Sequence, residues 1–395
     1  MKKFLLKFIT IILSVALTAS LVACDTTNND DNVVTGTFEY QYVEDEDDVD
    51  GGYYKITGYN VNSKDVENNF KNVDAKYRNL VIPEKAEELG VTGDRKDLKV
   101  KEIGAAAFAG KTILKSVVIG SHIETIGLGA FANCNKLEEM TVPFVGESAD
   151  AVNKERVFAH LFTTTDDGSG LNSEVSVKIY SQKDYNGNEL NSDEALTYYV
   201  PTSLKKVTVT GGEIKASAFY GFTKLETIVL NGNFEYIGGH AFYNCTSLKS
   251  VTFPQSVKNI YQYAFSSCTA LRALPFDKNS QIELIGREAF SGCSAIGANS
   301  VSAIIKVEEF PQTLSYLGER AFMNCSAIRG VDLSNTALTS IEMSAFENCS
   351  AIEQLSLKDG TVVTSGAFVG CSKLTKAAIS NFNTLIVEID AFDFE

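Results

Sequence analysis

The run Leu248-Lys249-Ser250-Val251-Thr252-Phe253-Pro254 is followed by Val257, Ile260 and then Ala264-Phe265-Ser266-Ser267-Cys268. Val251 and Phe253 alternate with Ser250 and Thr252, the period of a short strand with one buried face. Pro254 ends that strand, because proline cannot donate in a ladder. Val257 and Ile260 form a second apolar pair. A turn of helix is expected to carry Ala264-Phe265.

The same run recurs along the chain. Ala-Phe occurs with Phe at 108, 131, 219, 242, 265, 290, 322, 346, 368 and 392. The spacings are 23, 88, 23, 23, 25, 32, 24, 22 and 24 residues, so apart from one gap they cluster near 23. Phe makes up 24 of 395 residues, and chance does not give this period. Three residues after Phe stands Cys134, Cys245, Cys268, Cys293, Cys325, Cys349 or Cys371, with Lys111 and Phe222 in that place elsewhere. Three residues further comes Leu or Ile, from Leu114 to Leu374. A unit of this size cannot enclose a core alone, whereas stacked copies share one. Phe then fills the interior of each copy. Ala precedes it because a larger side chain would meet the neighbouring coil.

These residues resemble the BspA-like, treponemal-type leucine-rich repeat of bacterial surface proteins. That repeat looks like Leu-x-x-Ile-x-Leu-Pro, a short linker, Ile, then Ala-Phe-x-x-Cys. Asn133-Cys134, Asn244-Cys245, Asn324-Cys325 and Asn348-Cys349 match it closely. The resemblance implies an α/β solenoid of BspA-type leucine-rich repeats of about 23 residues, with about ten repeats over 100–395. Tyr53 to Tyr59 and Leu80 to Pro83 resemble the family's opening segment and imply a small β-rich N-terminal cap over 38–99.

The 88-residue gap holds one repeat and a surplus. Leu137 to Pro143 completes a strand and Leu204 to Val209 starts another, so 144–203 reads as one insertion. Asp184-Tyr185-Asn186-Gly187-Asn188 reads as a turn, with a hairpin through Asn186-Gly187. It is not read as a calcium loop, since Glu189 stands where such a loop needs Gly. The acidic run from Glu44 to Asp48 reads as a solvated loop. The array stops three residues after Phe392, without a further Cys. Glu388, Asp390, Asp393 and Glu395 are expected to discourage end-to-end stacking, truncation being the alternative.

The N-terminus reads as an address. Lys2, Lys3 and Lys7 precede an apolar run from Phe8 to Leu17, and Leu21-Val22-Ala23-Cys24 follows. These are the parts of a secretory signal, too short for a membrane span. The ending resembles a bacterial lipoprotein box, which implies cleavage before Cys24 and a diacylglyceryl group on its thiol. Residues 1–23 are then the signal peptide and 24–37 a flexible tether. The expected location is extracytoplasmic, lipid-anchored to the bacterial cell membrane and exposed at the surface. Membrane contact is expected through the Cys24 lipid only.

Composition narrows the function. Hydrophobic residues at 44% and charged residues at 22% describe a folded chain. Net charge is −15, and loss of the three signal lysines takes it to −18. Nucleic acid is therefore not an expected partner. The seven repeat cysteines read as a reduced, buried ladder, not as disulfides or a metal site, because parallel Cβ vectors do not converge. His122 and His240 read as partly exposed turn residues. His160, near Asp166 and Asp167, makes no catalytic set. No nucleophile elbow, zinc motif or phosphate loop appears, and neither an enzyme nor a cofactor is expected.

The candidate binding face is the outward strand residues: Ser116/Val118, Glu139/Thr141, Lys206/Thr208, Thr227/Val229, Ser250/Thr252, Ala273/Pro275, Gly330/Asp332, Gln354/Ser356 and Lys376/Ala378. This strip is small, weakly polar and short of aromatic anchors. Tyr180, Tyr185, Tyr198 and Tyr199 form the nearest aromatic group. The resemblance implies a non-catalytic surface lipoprotein that binds a protein or a surface polymer, in adhesion or in host or cell interaction. The alternatives are an envelope lipoprotein without a host ligand, or a wall-polymer enzyme acting through 144–203.

Overall fold

An alternating Val/Thr segment finds the same segment one coil later, and the two pair in register. The computed structural model describes residues 35–45, 50–62, 78–165, 168–180, 192–298 and 307–394. Strands Asn79–Val81, Ser116–Val118, Glu139–Val142, Lys206–Val209, Thr227–Leu230 and Ser250–Thr252 form one parallel sheet. Lys206 lies opposite Glu139 and Thr227, and Thr208 opposite Thr141 and Val229. A second parallel sheet holds Val307–Glu309, Gly330–Asp332, Gln354–Ser356 and Ile379–Ser380. Shorter strands such as Tyr236–Ile237, Asn259–Ile260, Leu284–Ile285 and Tyr316–Leu317 stack along another side of the coil.

Two expected strands are corrected. Residues 271–276 form none, so Ala273 and Pro275 are not strand positions. Pro275 comes four residues after Leu271, where the preceding coil places Thr252 after Leu248, and it removes a ladder donor. Lys376–Ala378 is a short 3-10 turn, and Ile379 pairs with Leu355 in its place.

The Ala-Phe side is corrected too. It is a chain of tight turns and not a turn of helix. Cys268 N–H donates to the Phe265 carbonyl at 3.1 Å, and Ser266 N–H to that of Tyr263 at 3.1 Å. The residue before Ala has left-handed backbone in every copy, as at Tyr263 with φ 55° and Arg320 with φ 55°. The second residue after Phe repeats this, as at Ser267 with φ 64° and Asn348 with φ 59°. Two left-handed residues so close stop a helix from propagating, and each costs about 1–2 kcal/mol when it is not Gly. The strain is offset by bonds between coils. Phe242 N–H donates to the Ala264 carbonyl at 2.7 Å, Phe265 to Ala289 at 2.7 Å and Phe290 to Ala321 at 2.8 Å.

Those bonds set the coil spacing at which the rings stack. Phe242, Phe265, Phe290, Phe322 and Phe346 follow one another at centroid distances of 4.9, 5.2, 5.2 and 5.3 Å. This lies in the range where offset stacking is favourable. All five are fully buried. Gly286 follows the short strand, where a Cβ would sit 2.7 Å from the Gln262 backbone nitrogen. Phe38 and Tyr59 close the N-terminal end of the column, Tyr59 at 5.7 Å from Phe108. They belong to the antiparallel pair Thr35–Glu44 and Gly52–Asn62, and the second strand pairs parallel with Val100–Ile103. The first strand thus begins inside the stretch read as tether.

The segment 144–203 has two parts. Its first part continues the array. Phe131 N–H donates to the Leu161 carbonyl at 2.9 Å, and Phe158 N–H to that of Ala218 at 2.8 Å. Leu161 accepts where other coils place Ala, and Phe158 takes the place of Phe toward the next coil, its ring 4.9 Å from Phe219. The second part is the antiparallel pair Asn172–Tyr180 and Ser192–Pro201. The expected turn at Asp184 to Asn188 lies outside the described residues.

Replacing Phe265 by Ala should cost about 3–5 kcal/mol of unfolding free energy. Lys206→Ala, which breaks a 3.1 Å surface pair with Glu139, should cost less than about 1 kcal/mol. Urea titration followed by circular dichroism checks the order, and equal losses would contradict the shared-core account.

Candidate binding surfaces

The alternation that buries Met140, Val207 and Ile228 turns their neighbours outward. Two rows result. The first carries Ser116, Glu139, Lys206, Thr227 and Ser250 in register. It is largely self-paired: Lys206 Nζ meets Glu139 Oε2 at 3.1 Å, and Ser250 Oγ donates to Thr227 Oγ1 at 3.4 Å. The second row carries Val118, Thr141, Thr208, Val229 and Thr252, all β-branched. Beyond the break at 271–276 come Asp332, Gln354 and Ser356. Asp332 Oδ1 accepts the Ser334 backbone N–H at 3.0 Å and its hydroxyl at 2.6 Å. Gly330 is buried.

A third row lies at the strand entrances and was not singled out from the sequence. Lys115 pairs with Glu138 at 3.2 Å, Lys249 with Glu226 at 2.5 Å, and Arg329 with Glu353 at 3.2 Å. Opposite charges one coil apart are the signal that was present, at spacings of 23 or 24 residues. The Lys249 ammonium, through its hydrogen bond, holds the Glu226 carboxyl below its usual range.

Stacked aromatic rings flank the Ala-Phe turns, buried at Tyr220 and His240 and half-buried at Tyr243 and Tyr263. Tyr220 stacks on Tyr243 at 4.9 Å and His240 on Tyr263 at 4.7 Å. Tyr263 Oη donates to Glu288 Oε1 at 3.3 Å. His240 is buried at 4% exposure, correcting its reading as partly exposed. Tyr198 is buried at 2% and is no surface anchor, while Tyr199 is half-buried. The side chains of Tyr180 and Tyr185, together with Asp166, Asp167 and Cys24, lie outside the described residues.

The repeat cysteines are unbridged and buried. Each thiol donates to the Phe carbonyl of the coil before it. The distance is 3.1 Å for Cys268 to Phe242 and for Cys349 to Phe322, and 3.3 Å for Cys371 to Phe346. That carbonyl already accepts the N–H three residues on in its own coil, a Cys in most coils and Lys111 or Phe222 in two, so the thiol takes up its second lone pair. A small apolar side chain with one weak donor suits this place. Burial pushes the Cys134 and Cys371 thiols up to about 12, and Cys349 well above the usual thiol range. A thiol held protonated in this way is a poor nucleophile. Burial likewise lowers the pKa of His122 and His160.

Residues 97–152, 197–309 and 301–394 match the BspA-type leucine-rich repeat region, in six copies. No curated protein matches the chain. Among solved structures, the T. pallidum leucine-rich repeat protein is 22% identical, covering 54% of this chain and 92% of that one, with a TM-score of 0.38. A leucine-rich repeat protein from Bacteroides ovatus is 20% identical over 90% of this chain and 76% of that one, with a TM-score of 0.43. A leucine-rich cell surface protein from Faecalibacterium prausnitzii is 20% identical over 90% and 93%, with a TM-score of 0.33.

These buried groups predict a two-sided pH profile. His122 and His160 are neutral when folded and charge on unfolding, so their contribution is present above about pH 6.5 and is lost below it. Cys134, Cys268, Cys325, Cys349 and Cys371 stay protonated when folded and ionise on unfolding, so their contribution is present below about pH 8.5 and is lost above it. The urea midpoint should therefore plateau between those values and fall on both sides. A midpoint that rises above pH 9 would contradict the buried ladder.

Proposed function

The chain belongs to the BspA-type leucine-rich repeat family, and on that premise we propose that it is a non-catalytic surface lipoprotein whose solenoid binds proteins or polymers, in adhesion or in host or cell interaction. The observation that carries this reading is the repetition of outward-facing side chains, half-buried to exposed, on one shared core. Cys and His, the residues of reactive chemistry, are mostly committed to packing. Glu139, Thr141, Lys206, Thr208, Thr227, Val229, Ser250 and Thr252 present two straight rows on consecutive parallel strands. A long, shallow surface of this kind suits an extended partner. Asp332, Gln354 and Ser356 extend it past the break.

Anchoring follows from the signal ending at Cys24. Two or more acyl chains hold a protein stably at a membrane, where a single chain does not. The tether then presents the first coil away from the bilayer.

The test uses the full chain expressed in a bacterial host. The wild type should take up labelled fatty acid and sediment with membranes, and Cys24→Ser should lose the label and appear in the medium. Cells bearing the wild type should bind purified matrix glycoproteins saturably, and the Thr208→Glu, Val229→Glu variant should bind at least about tenfold more weakly. Retention of peptidoglycan alone would favour the envelope reading. Saturable binding to neither would overturn the proposal.

A further inference from the structure

The linker after Leu271 is two residues longer than the one after Leu248, counted to Ile285 and Ile260. The surplus forms a loop that overhangs the next two linkers. A groove of about 400 Å³ results, within the ~300–1,000 Å³ of ordinary ligand sites. It runs across three coils, lined by Asn279 and Gln281 from the loop, Gln312 from the second linker, and Asp332 and Asn335 from the third. Phe310 forms its floor.

The walls are held before any ligand arrives. Asn279 N–H donates to Asp277 Oδ1 at 2.8 Å, and Asp277 N–H to Ser280 Oγ at 3.0 Å, which locks the loop on itself. Thr313 Oγ1 donates to the Ile282 carbonyl at 2.7 Å and ties the loop to the second linker. Phe310 is buried and braced by Phe276 at 5.8 Å and Phe322 at 5.6 Å. Ser334 holds Asp332 through Oδ1 and does not use Oδ2. Such preorganisation lowers the entropic cost of binding.

The geometry points to a neutral saccharide, one or a few sugar units long, as the occupant of this groove. Four carboxamides both donate and accept, as sugar hydroxyls do, and a carboxylate accepts from a pair of neighbouring hydroxyls. One cation, Lys278, and one anion, Asp332, leave the lining without net charge. A phosphate or acidic polymer would want several basic groups, and a hard cation several carboxylates. An apolar ligand would leave the amides unpaired. The groove shares Asp332 with the far end of the strand face, but Asn279, Gln281 and Gln312 lie outside that face and Thr208 and Val229 lie outside the groove, so variants at these residues separate the two.

A printed array of neutral and acidic glycans, probed with the full chain, tests this. Neutral oligosaccharides should be retained, and Asp332→Asn, which keeps Oδ1 for Ser334, and Gln312→Ala should each weaken that binding about tenfold. Both variants should keep the wild-type melting temperature. Thr208→Glu, Val229→Glu should keep glycan binding. Retention of acidic glycans only, of no glycan, or of neutral glycans equally by both variants would overturn the inference.

Discussion

The Phe N–H of one coil donates to the Ala carbonyl of the next, with Leu161 in Ala's place for Phe131, and that bond sets the distance at which everything else must fit. At this spacing the rings stack, the strands pair in register, and the thiols reach the Phe carbonyls. Ala is needed because its backbone lies against the neighbouring turn. Left-handed residues on either side bring the backbone into position, at a cost that only a repeated ladder offsets.

The frame also governs what the surface can present. Side chains pointing in are alike in kind, since most coils ask for the same Phe, Ala, Cys and aliphatic. Those pointing out vary freely, limited only by their neighbours one coil away. That is why opposite charges face each other at Lys115 and Glu138 or Lys249 and Glu226. A longer linker costs little, because loop closure grows slowly with length. Asp277 to Gln281 and the hairpin Asn172–Tyr180 with Ser192–Pro201 are such additions, placed without breaking the column.

Much of the fold was legible because repetition multiplies a weak signal. A single Ala-Phe means nothing, while ten in phase define a period. What stayed hidden was local. The left-handed residues before Ala include Tyr263, Glu288 and Arg320, which show no turn preference of their own, so the turn read as helix. Phe158 and Leu161 continue the array without an Ala-Phe pair, so their coil was counted as insertion. Pro275 lies two residues earlier than Pro254 does in its coil, a shift that only strand pairing makes consequential. The strand rows were legible from alternation. The groove at Phe310 was not, because three linkers far apart in sequence build it.

A double-mutant cycle along the column tests the shared core most directly. Phe265→Leu and Phe290→Leu remove stacked neighbours 5.2 Å apart, while Phe242→Leu and Phe346→Leu lie several coils from each other. The adjacent pair should show a coupling of about 0.5–3 kcal/mol in unfolding free energy, and the distant pair should add within about 0.5 kcal/mol. An adjacent pair that adds as simply as the distant one would contradict a column whose coils depend on each other.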